Sequence, residues 1–188
     1  LNNNGVKNMS KRVLVISSSP RIGGNSDKLA DAFAKGALEV GNDVEKINLA
    51  GKRIEFCKGC FACQTSQRCV IRDDADLIEQ KMSDADVLVF ATPIYYFEMS
   101  GQLKTMLDRG NPLYTKNYKF REIYFLSTAA EDDESVPKRA ENGVQGWIEC
   151  FPNAHFAGSV FAGGVVNKGD IIGHIALTKA FELGKSVI

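Results

Sequence analysis

A continuous apolar strand, Val13-Leu14-Val15-Ile16, runs directly into the loop Ser17-Ser18-Ser19-Pro20-Arg21-Ile22-Gly23-Gly24-Asn25-Ser26 and from there into an amphipathic helix. An unbroken apolar run of this kind is buried on both faces of a parallel sheet. Beyond the loop, Leu29, Phe33 and Ala37 recur at helical spacing with Ala30, Ala34 and Leu38 beside them, while Asp27, Lys28, Asp31, Lys35 and Glu39 fall opposite. Asn25 or Ser26 is the expected N-cap. A helix N-terminus supplies unpaired N–H donors and partial positive charge, three serines add hydroxyls, and Arg21 adds a charged fork. That set suits a phosphate monoester dianion, although the same residue types also build ordinary turns.

Other nucleotide loops fail on spacing. No G-x-G-x-x-G follows the strand, and Gly184-Lys185-Ser186 lacks the first glycine of a P-loop, whose place Lys179 takes. At 188 residues the chain is expected to be one domain. Lys and Arg total 23 against 23 Asp and Glu, which argues against nucleic acid as a partner. No run of about 18 apolar residues is present, so no membrane span is expected. Residues 1–8 are polar and Asn-rich and read as a leader before a start at Met9, leaving 9–188 as the domain and the cytoplasm as the expected location.

Apolar runs then alternate with helical patterns. Strands are expected at Asp43 to Leu49, Asp86 to Ala91, Glu122 to Ser127 and His155 to Phe161. Helices are expected at Asp73 to Ser83, Ser100 to Asp108, Val136 to Cys150 and Ile171 to Val187. Such alternation predicts an α/β doubly wound sheet, whose ligands sit at the carboxyl ends of the strands. Thr92-Pro93-Ile94-Tyr95-Tyr96-Phe97 leaves the third strand at that edge, and its three successive aromatics offer flat apolar surface for a planar ring, or else a plug for the sheet end or a subunit contact. A phosphate loop beside a ring-binding loop describes a site for FMN.

These residues resemble the flavodoxin-like NAD(P)H-dependent FMN reductases. The resemblance covers nearly the whole chain from Met9 and rests on Ser19-Pro20-Arg21 with Asn25-Ser26, Cys57-x-Gly59-Cys60-x-x-Cys63, Asp73-Asp74, Pro93-Ile94-Tyr95, and Leu103-Lys104 with Asp108-Arg109. It implies a flavodoxin-like three-layer sandwich with a five-stranded parallel sheet ordered 2-1-3-4-5. It implies that Ser19, Arg21, Asn25 and Ser26 hold the FMN phosphate, and that Pro93, Ile94, Tyr95 and Tyr96 touch the ring. A third contact would come from Thr128, Ala129 and Ala130, where family members usually carry Gly. NAD(P)H would be the co-substrate, a flavin, quinone or similar small molecule the acceptor, and the assembly a homodimer or homotetramer.

Cys57, Cys60, Cys63 and Cys69 form C-x2-C-x2-C-x5-C, with Cys150 apart. Such clustering in a cytosolic chain points to metal or redox chemistry rather than a disulfide frame. The spacing is close to iron–sulfur ligation and resembles the motif of the iron–sulfur flavoproteins, a branch of the same family, in which these four residues would hold a 4Fe–4S cluster. Free thiols or reversible disulfides are the expectation here, because the segment after Leu126 is more similar to the flavin reductases. Zinc suits the spacing least, since its ligands usually come as two separated pairs.

The chemistry asks little of side chains, and no catalytic acid, base or nucleophile is singled out. His155 and His174 read as structural or exposed. Lys104, Asp108 and Arg109 read as a surface ion-pair set, a subunit contact or a docking point for the nicotinamide nucleotide. The alternatives to a reductase are an iron–sulfur or flavodoxin-type electron carrier and a thiol redox sensor. Carriers of the flavodoxin type are usually strongly acidic, and this chain is neutral.

Overall fold

The computed structural model describes residues 10–188, so the leader and the start at Met9 lie outside the described residues. Elements follow in the order β1 (Arg12–Ser17), α1 (Asn25–Glu39), β2 (Asp43–Asn48), α2 (Ala62–Ser66), α3 (Asp74–Asp84), β3 (Val87–Tyr95), β4 (Glu98–Met99) and α4 (Gly101–Arg109). A 3₁₀ turn (Asn111–Thr115), β5 (Glu122–Thr128), α5 (Lys138–Ile148), β6 (His155–Ala162) and α6 (Ile175–Lys185) complete the chain. Five strands pair in parallel in the order β2-β1-β3-β5-β6, and β4 adds a short antiparallel hairpin to the end of β3. With that two-residue strand set aside, the order is the one the flavodoxin-like resemblance implies.

Alternation along the strands divides the core into two layers. Leu14, Ile16, Leu88, Phe90, Ile123 and Phe125 face α3, α4 and α5, where Ile78, Met82, Leu103, Met106 and Val144 meet them. Val13, Val15, Val87, Val89, Tyr124 and Leu126 face α1 and α6 through Leu29, Phe33, Ala37, Ala176 and Ala180. The second pair of helices approaches unusually closely. A Cβ on Gly36 would lie 2.0 Å from the Phe181 carbonyl oxygen, and one on Gly184 would lie 2.1 Å from that of Phe33. Both glycines are therefore required by backbone contact, not by a turn.

Helix starts obey local rules with one correction. Asp73 caps α3 by accepting from the Ala75 N–H, and Ser100 caps α4 by accepting from Leu103. The N-cap of α1 is Gly24 instead of Asn25 or Ser26, which already lie in the first turn. A Cβ on Gly24 would fall 2.8 Å from the Arg21 carbonyl oxygen and 2.9 Å from Ser19 Oγ, so the loop folds back too tightly there for a capping side chain.

Candidate functional site

Loops after β1, β2, β3, β5 and β6 gather at the carboxyl edge of the sheet, as the doubly wound fold requires. The loop after β1 is a closed structure in its own right. Ser19 Oγ donates to the Arg21 carbonyl at 2.9 Å and accepts the Arg21 N–H at 3.3 Å, while Gly24 N–H returns to the same carbonyl at 2.8 Å. Ser18 Oγ donates to the Ala91 carbonyl at 3.1 Å and accepts from Ser100 Oγ at 2.8 Å. Two of the three serine hydroxyls thus shape the loop, and the donors left for an anion are chiefly the first-turn N–H groups of α1 and the hydroxyl of Ser26. Arg21 is exposed and anchored by Nη2 to the Val166 carbonyl at 3.2 Å.

Asn25 has a different task from the expected one. Its Nδ2 donates to the Asn167 carbonyl at 2.9 Å, and its Oδ1 accepts from Gly169 and Ile171 N–H at 3.1 and 3.4 Å. Asn25 therefore fastens the loop after β6 to the loop after β1, and its backbone N–H, in the first turn of α1, is the group left to face an anion. Lys168 of that loop also lies over Gly23, near where a Cβ would sit, and brings a charge that the sequence reading missed. Asp27, buried beside them, accepts from Gly23 N–H at 2.7 Å, Lys46 Nζ at 2.9 Å and Asn48 Nδ2 at 3.1 Å. Burial opposes its charge, but Lys46 and the Gly23 N–H outweigh that and hold the carboxyl below its ordinary 3.8.

The loop after β3 is the hairpin β3–β4, in which Ile94 faces Met99 and Tyr95 faces Glu98. Its two turn residues, Tyr96 and Phe97, both have positive φ, 51° and 66°. A turn of this hand favours Asn-Gly, so two bulky aromatics here carry backbone strain. Tyr96 is 98% exposed. The hairpin is tied to the phosphate loop through buried hydroxyls: Ser100 N–H donates to Thr92 Oγ1 at 3.0 Å, and Ser100 Oγ reaches Ser18. Between hairpin and third loop lies a cleft of about 200 Å³ lined by Ile94, Tyr96, Phe97, Ala129, Ala130, Glu131 and Val136. Pro93 and Thr128, next in sequence to the lining residues Ile94 and Ala129, are buried register partners. On the other side of Tyr95 a groove of about 500 Å³ is lined by Leu49, Lys52, Ile54, Phe56, Gly101, Gln102 and Thr105.

The cysteines occupy a separate place. Cys57, Cys60, Cys63 and Cys69 line one small cavity with Phe61, Arg109 and Asn111, whereas exposed Cys150 lies apart at the end of α5. Two of the sulfurs accept N–H bonds, Cys63 from Asn111 Nδ2 at 3.1 Å and Cys57 from Gly59 N–H at 3.5 Å. Arg109, grouped by sequence with the surface pair Lys104–Asp108, is instead buried and clasps Asp73 with its fork at 2.7 and 2.9 Å. Burial works against the Arg109 charge; Asp73 and the neighbouring Cys69 sulfur restore it. Its Nε has no hydrogen-bond partner. Among the described residues, no three His, Cys, Asp or Glu side chains gather closely enough for a single metal ion. A cubane gives each thiolate its own iron and asks instead for thiols ringed around a cavity, with N–H donors for the sulfurs. The orphaned Nε–H and the ring of thiols fit such a group.

Among the described residues, no helix is long and apolar enough to cross a membrane. The sequence profile of a family described as NADPH-dependent FMN reductase matches residues 11–138. An iron–sulfur flavoprotein of Archaeoglobus fulgidus is 38% identical over 97 residues, 52% of this chain and 44% of that protein. The chain spans about half the length of several such iron–sulfur flavoproteins. A protein of Bacillus subtilis named as an NAD(P)H-dependent FMN-containing oxidoreductase is 30% identical over 93% of this chain and 97% of its own length. The fold is similar to that of an NAD(P)H:quinone oxidoreductase from Methanothermobacter marburgensis, with a TM-score of 0.70 and 19% identity over 95% of this chain and all of the other.

Proposed function

The chain belongs to the NADPH-dependent FMN reductase family, and we propose that it binds FMN at the β1 and β3 loops and acts as an NAD(P)H-dependent oxidoreductase toward a small acceptor such as a flavin or quinone. The observation that carries this reading is the hydroxyl bridge from Ser18 through Ser100 to Thr92, which locks an anion-binding helix start beside a strained aromatic hairpin. When bound, FMN supplies hydride acceptance from the nicotinamide and onward electron transfer. The chain's own residues bind and orient. The first-turn N–H groups of α1, Ser26 and Arg21 hold the phosphate, with the Ser19 hydroxyl shaping the loop. Ile94 and Tyr96 line the cleft and present apolar surface to the ring, with Tyr95 on the neighbouring groove and Pro93 buried behind them, and Ala129 closes the opposite wall next to buried Thr128. The groove beyond Tyr95 offers room for the nicotinamide donor or the acceptor. Exposed Phe56, Tyr96 and Tyr114 suit a homodimer or homotetramer that covers them.

Titration of apoprotein with FMN and with riboflavin, followed by steady-state NADPH and NADH oxidation, tests this. FMN is expected to bind far more tightly than riboflavin, and the loaded protein to oxidise a nicotinamide nucleotide. Equal binding of the two flavins would remove the phosphate site from the β1 loop.

The cysteine cavity supports a second reading, an iron–sulfur flavoprotein whose 4Fe–4S cluster is held by Cys57, Cys60, Cys63 and Cys69. Its support is the four thiols around one cavity, the two N–H donors to Cys63 and Cys57, and the relatives of that name. This departs from the expectation of free thiols. Iron and labile sulfide in anaerobically prepared protein decide between them: about four of each per chain favours the cluster, and none favours the thiols.

A further inference from the structure

One polar atom beside the four-cysteine cavity has nothing to bond. Arg109 is 2% exposed, and its Nε is without a partner. The remaining donors of the same guanidinium are committed. Nη1 donates to Asp73 and to the Glu55 carbonyl at 2.8 Å, and Nη2 donates to Asp73 and to the Ile71 carbonyl at 3.2 Å. Glu55 and Ile71 stand at the two ends of the cysteine segment. Arg109 thus closes the neck of that segment with its fork, and its third edge is left beside the thiols it helps to enclose, with Cys69 against it.

A clamp alone does not explain this choice of residue. Buried ion pairs are weak stabilisers, and an apolar pair could hold the same neck without desolvating two charges. A buried N–H left unpaired is costly, and natural structures leave few of them. What arginine adds over any other clamp is a third donor edge at a fixed angle to its fork. Two neighbouring sulfurs already receive N–H bonds, from Asn111 and Gly59, so a donor toward Cys69 would complete the pattern on a third.

We propose that Arg109 is a positioning residue for a metal–sulfur centre on the four cysteines, with Nε–H donating to the Cys69 sulfur and raising the centre's reduction potential. The inference rests on the iron–sulfur reading above. Hydrogen bonds to cluster sulfurs stabilise the more negative, reduced form, and they do so more strongly in a site from which water is excluded. Asp73 fixes the angle of the guanidinium but adds negative charge of its own, so the two members of the pair act on the potential in opposite senses.

The test uses full-length protein reconstituted anaerobically with iron and sulfide. Wild type, Arg109→Lys and Asp73→Asn are compared by iron content and by the midpoint potential of the centre. Arg109→Lys keeps a charge but loses Nε–H, and it is expected to hold iron at a lower potential than wild type. Asp73→Asn is expected to hold iron at a potential no lower than wild type. A purely structural clamp would instead make both variants lose iron to the same extent with no separate shift in potential, and that result overturns the proposal. Wild type carrying ¹⁵N-guanidinium arginine gives a measurement that needs no variant: the reduced centre should show a ¹⁵N coupling in pulsed EPR. Absence of that coupling also overturns the proposal. A wild type that takes up no iron removes the iron–sulfur reading and the inference with it, whereas a normal cluster with an unshifted Arg109→Lys removes the inference alone.

Discussion

The loops that follow β1 and β2 leave the same edge of the sheet and are held in opposite ways. The first spans 18–24 and takes its turn from within, by Ser19 and Gly24 folding back on the Arg21 carbonyl, while Ser18 anchors it to Ala91 and Ser100. The second, 49–73, contains only the short helix α2 and takes its shape from distant residues. Arg109 ties both its ends, Gln67 Nε2 reaches the Thr115 carbonyl at 2.9 Å, and Arg68 and Arg72 pair with buried Asp76. Short-range turn chemistry builds a site that a few sequential residues specify. Long-range ties build the other: the Arg109–Asp73 ion pair and the Gln67–Thr115 hydrogen bond join parts 36 and 48 positions apart, and the Arg68 and Arg72 pairs with Asp76 add shorter-range support. The difference matters for function: a phosphate cradle needs backbone N–H groups at fixed spacing, whereas a thiol cavity needs a loop long enough to curl around it.

The sharpest way to break this contrast is to cut the clamp. Arg109→Met leaves Asp73 buried without its partner and is expected to cost about 3–5 kcal/mol of stability, read by urea denaturation. Adding Asp73→Leu should recover much of the loss, since an apolar pair avoids both desolvation penalties. Asn25→Ala, the matching cut at the phosphate loop, should cost only about 1–3 kcal/mol. Acid sharpens the same comparison. Burial opposes the Asp73 charge, but Arg109 and the Glu55 N–H hold its carboxyl below its ordinary 3.8. A lowered folded pKa gives stability that is full above that ordinary value and is lost as pH falls through the folded one. The acid limb of the stability profile below about pH 4 should therefore flatten in the Arg109→Met, Asp73→Leu double variant.

The next effect is on ligand binding at the self-contained loop. Arg21→Ala with Ser26→Ala is expected to weaken FMN binding by about 2–4 kcal/mol, the scale of charge-assisted bonds to a phosphate. Riboflavin binding should change little. Unchanged FMN affinity would mean that backbone N–H groups alone carry the anion, or that the phosphate sits elsewhere.

The same contrast explains what the sequence disclosed. The parallel strands, the sheet order and the placing of the first and third loops follow from periodicity, local turn chemistry and the resemblance together, and β3 only ran longer than expected, to Tyr95. The hairpin was hidden because Tyr96-Phe97 occupies a turn in which Asn-Gly is the recognisable signal. The role of Asn25 was hidden because its partners lie beyond β6. Arg109 read as a surface residue because its neighbours Lys104 and Asp108 are one; burial of the next residue along a helix is a matter of which face turns inward. The four cysteines were plain as a motif, but their shared cavity depends on residues from α4 and the 3₁₀ turn.

Strain at the hairpin gives a smaller effect with a distinctive sign. Tyr96→Asn with Phe97→Gly should raise stability by about 1–3 kcal/mol, because both positions then hold residues that accept positive φ. The same change should weaken flavin binding and alter flavin fluorescence, since it removes the exposed ring of the cleft. A variant more stable and still normal in flavin binding would show that the aromatics serve a subunit contact instead.

The smallest expected effect separates Lys104 from its buried neighbour. Lys104 Nζ meets Asp108 at 2.6 Å on the exposed face of α4, with side chains 60% and 49% exposed. An i,i+4 pair in that setting contributes about 0.3–0.5 kcal/mol, because solvent screens it and two long side chains lose freedom to form it. Lys104→Ala should therefore shift the urea midpoint barely at all and should fade from detection at high salt. Its Coulomb reach toward the cysteine cavity is screened in the same way, although Asp108 borders that cavity. If Lys104→Ala instead raised the KM for NADPH while leaving stability and FMN binding unchanged, the residue would serve nucleotide docking, and α4 would serve the solvent side as well as the clamp. An unchanged KM would leave α4 with its function on the buried side, through Arg109.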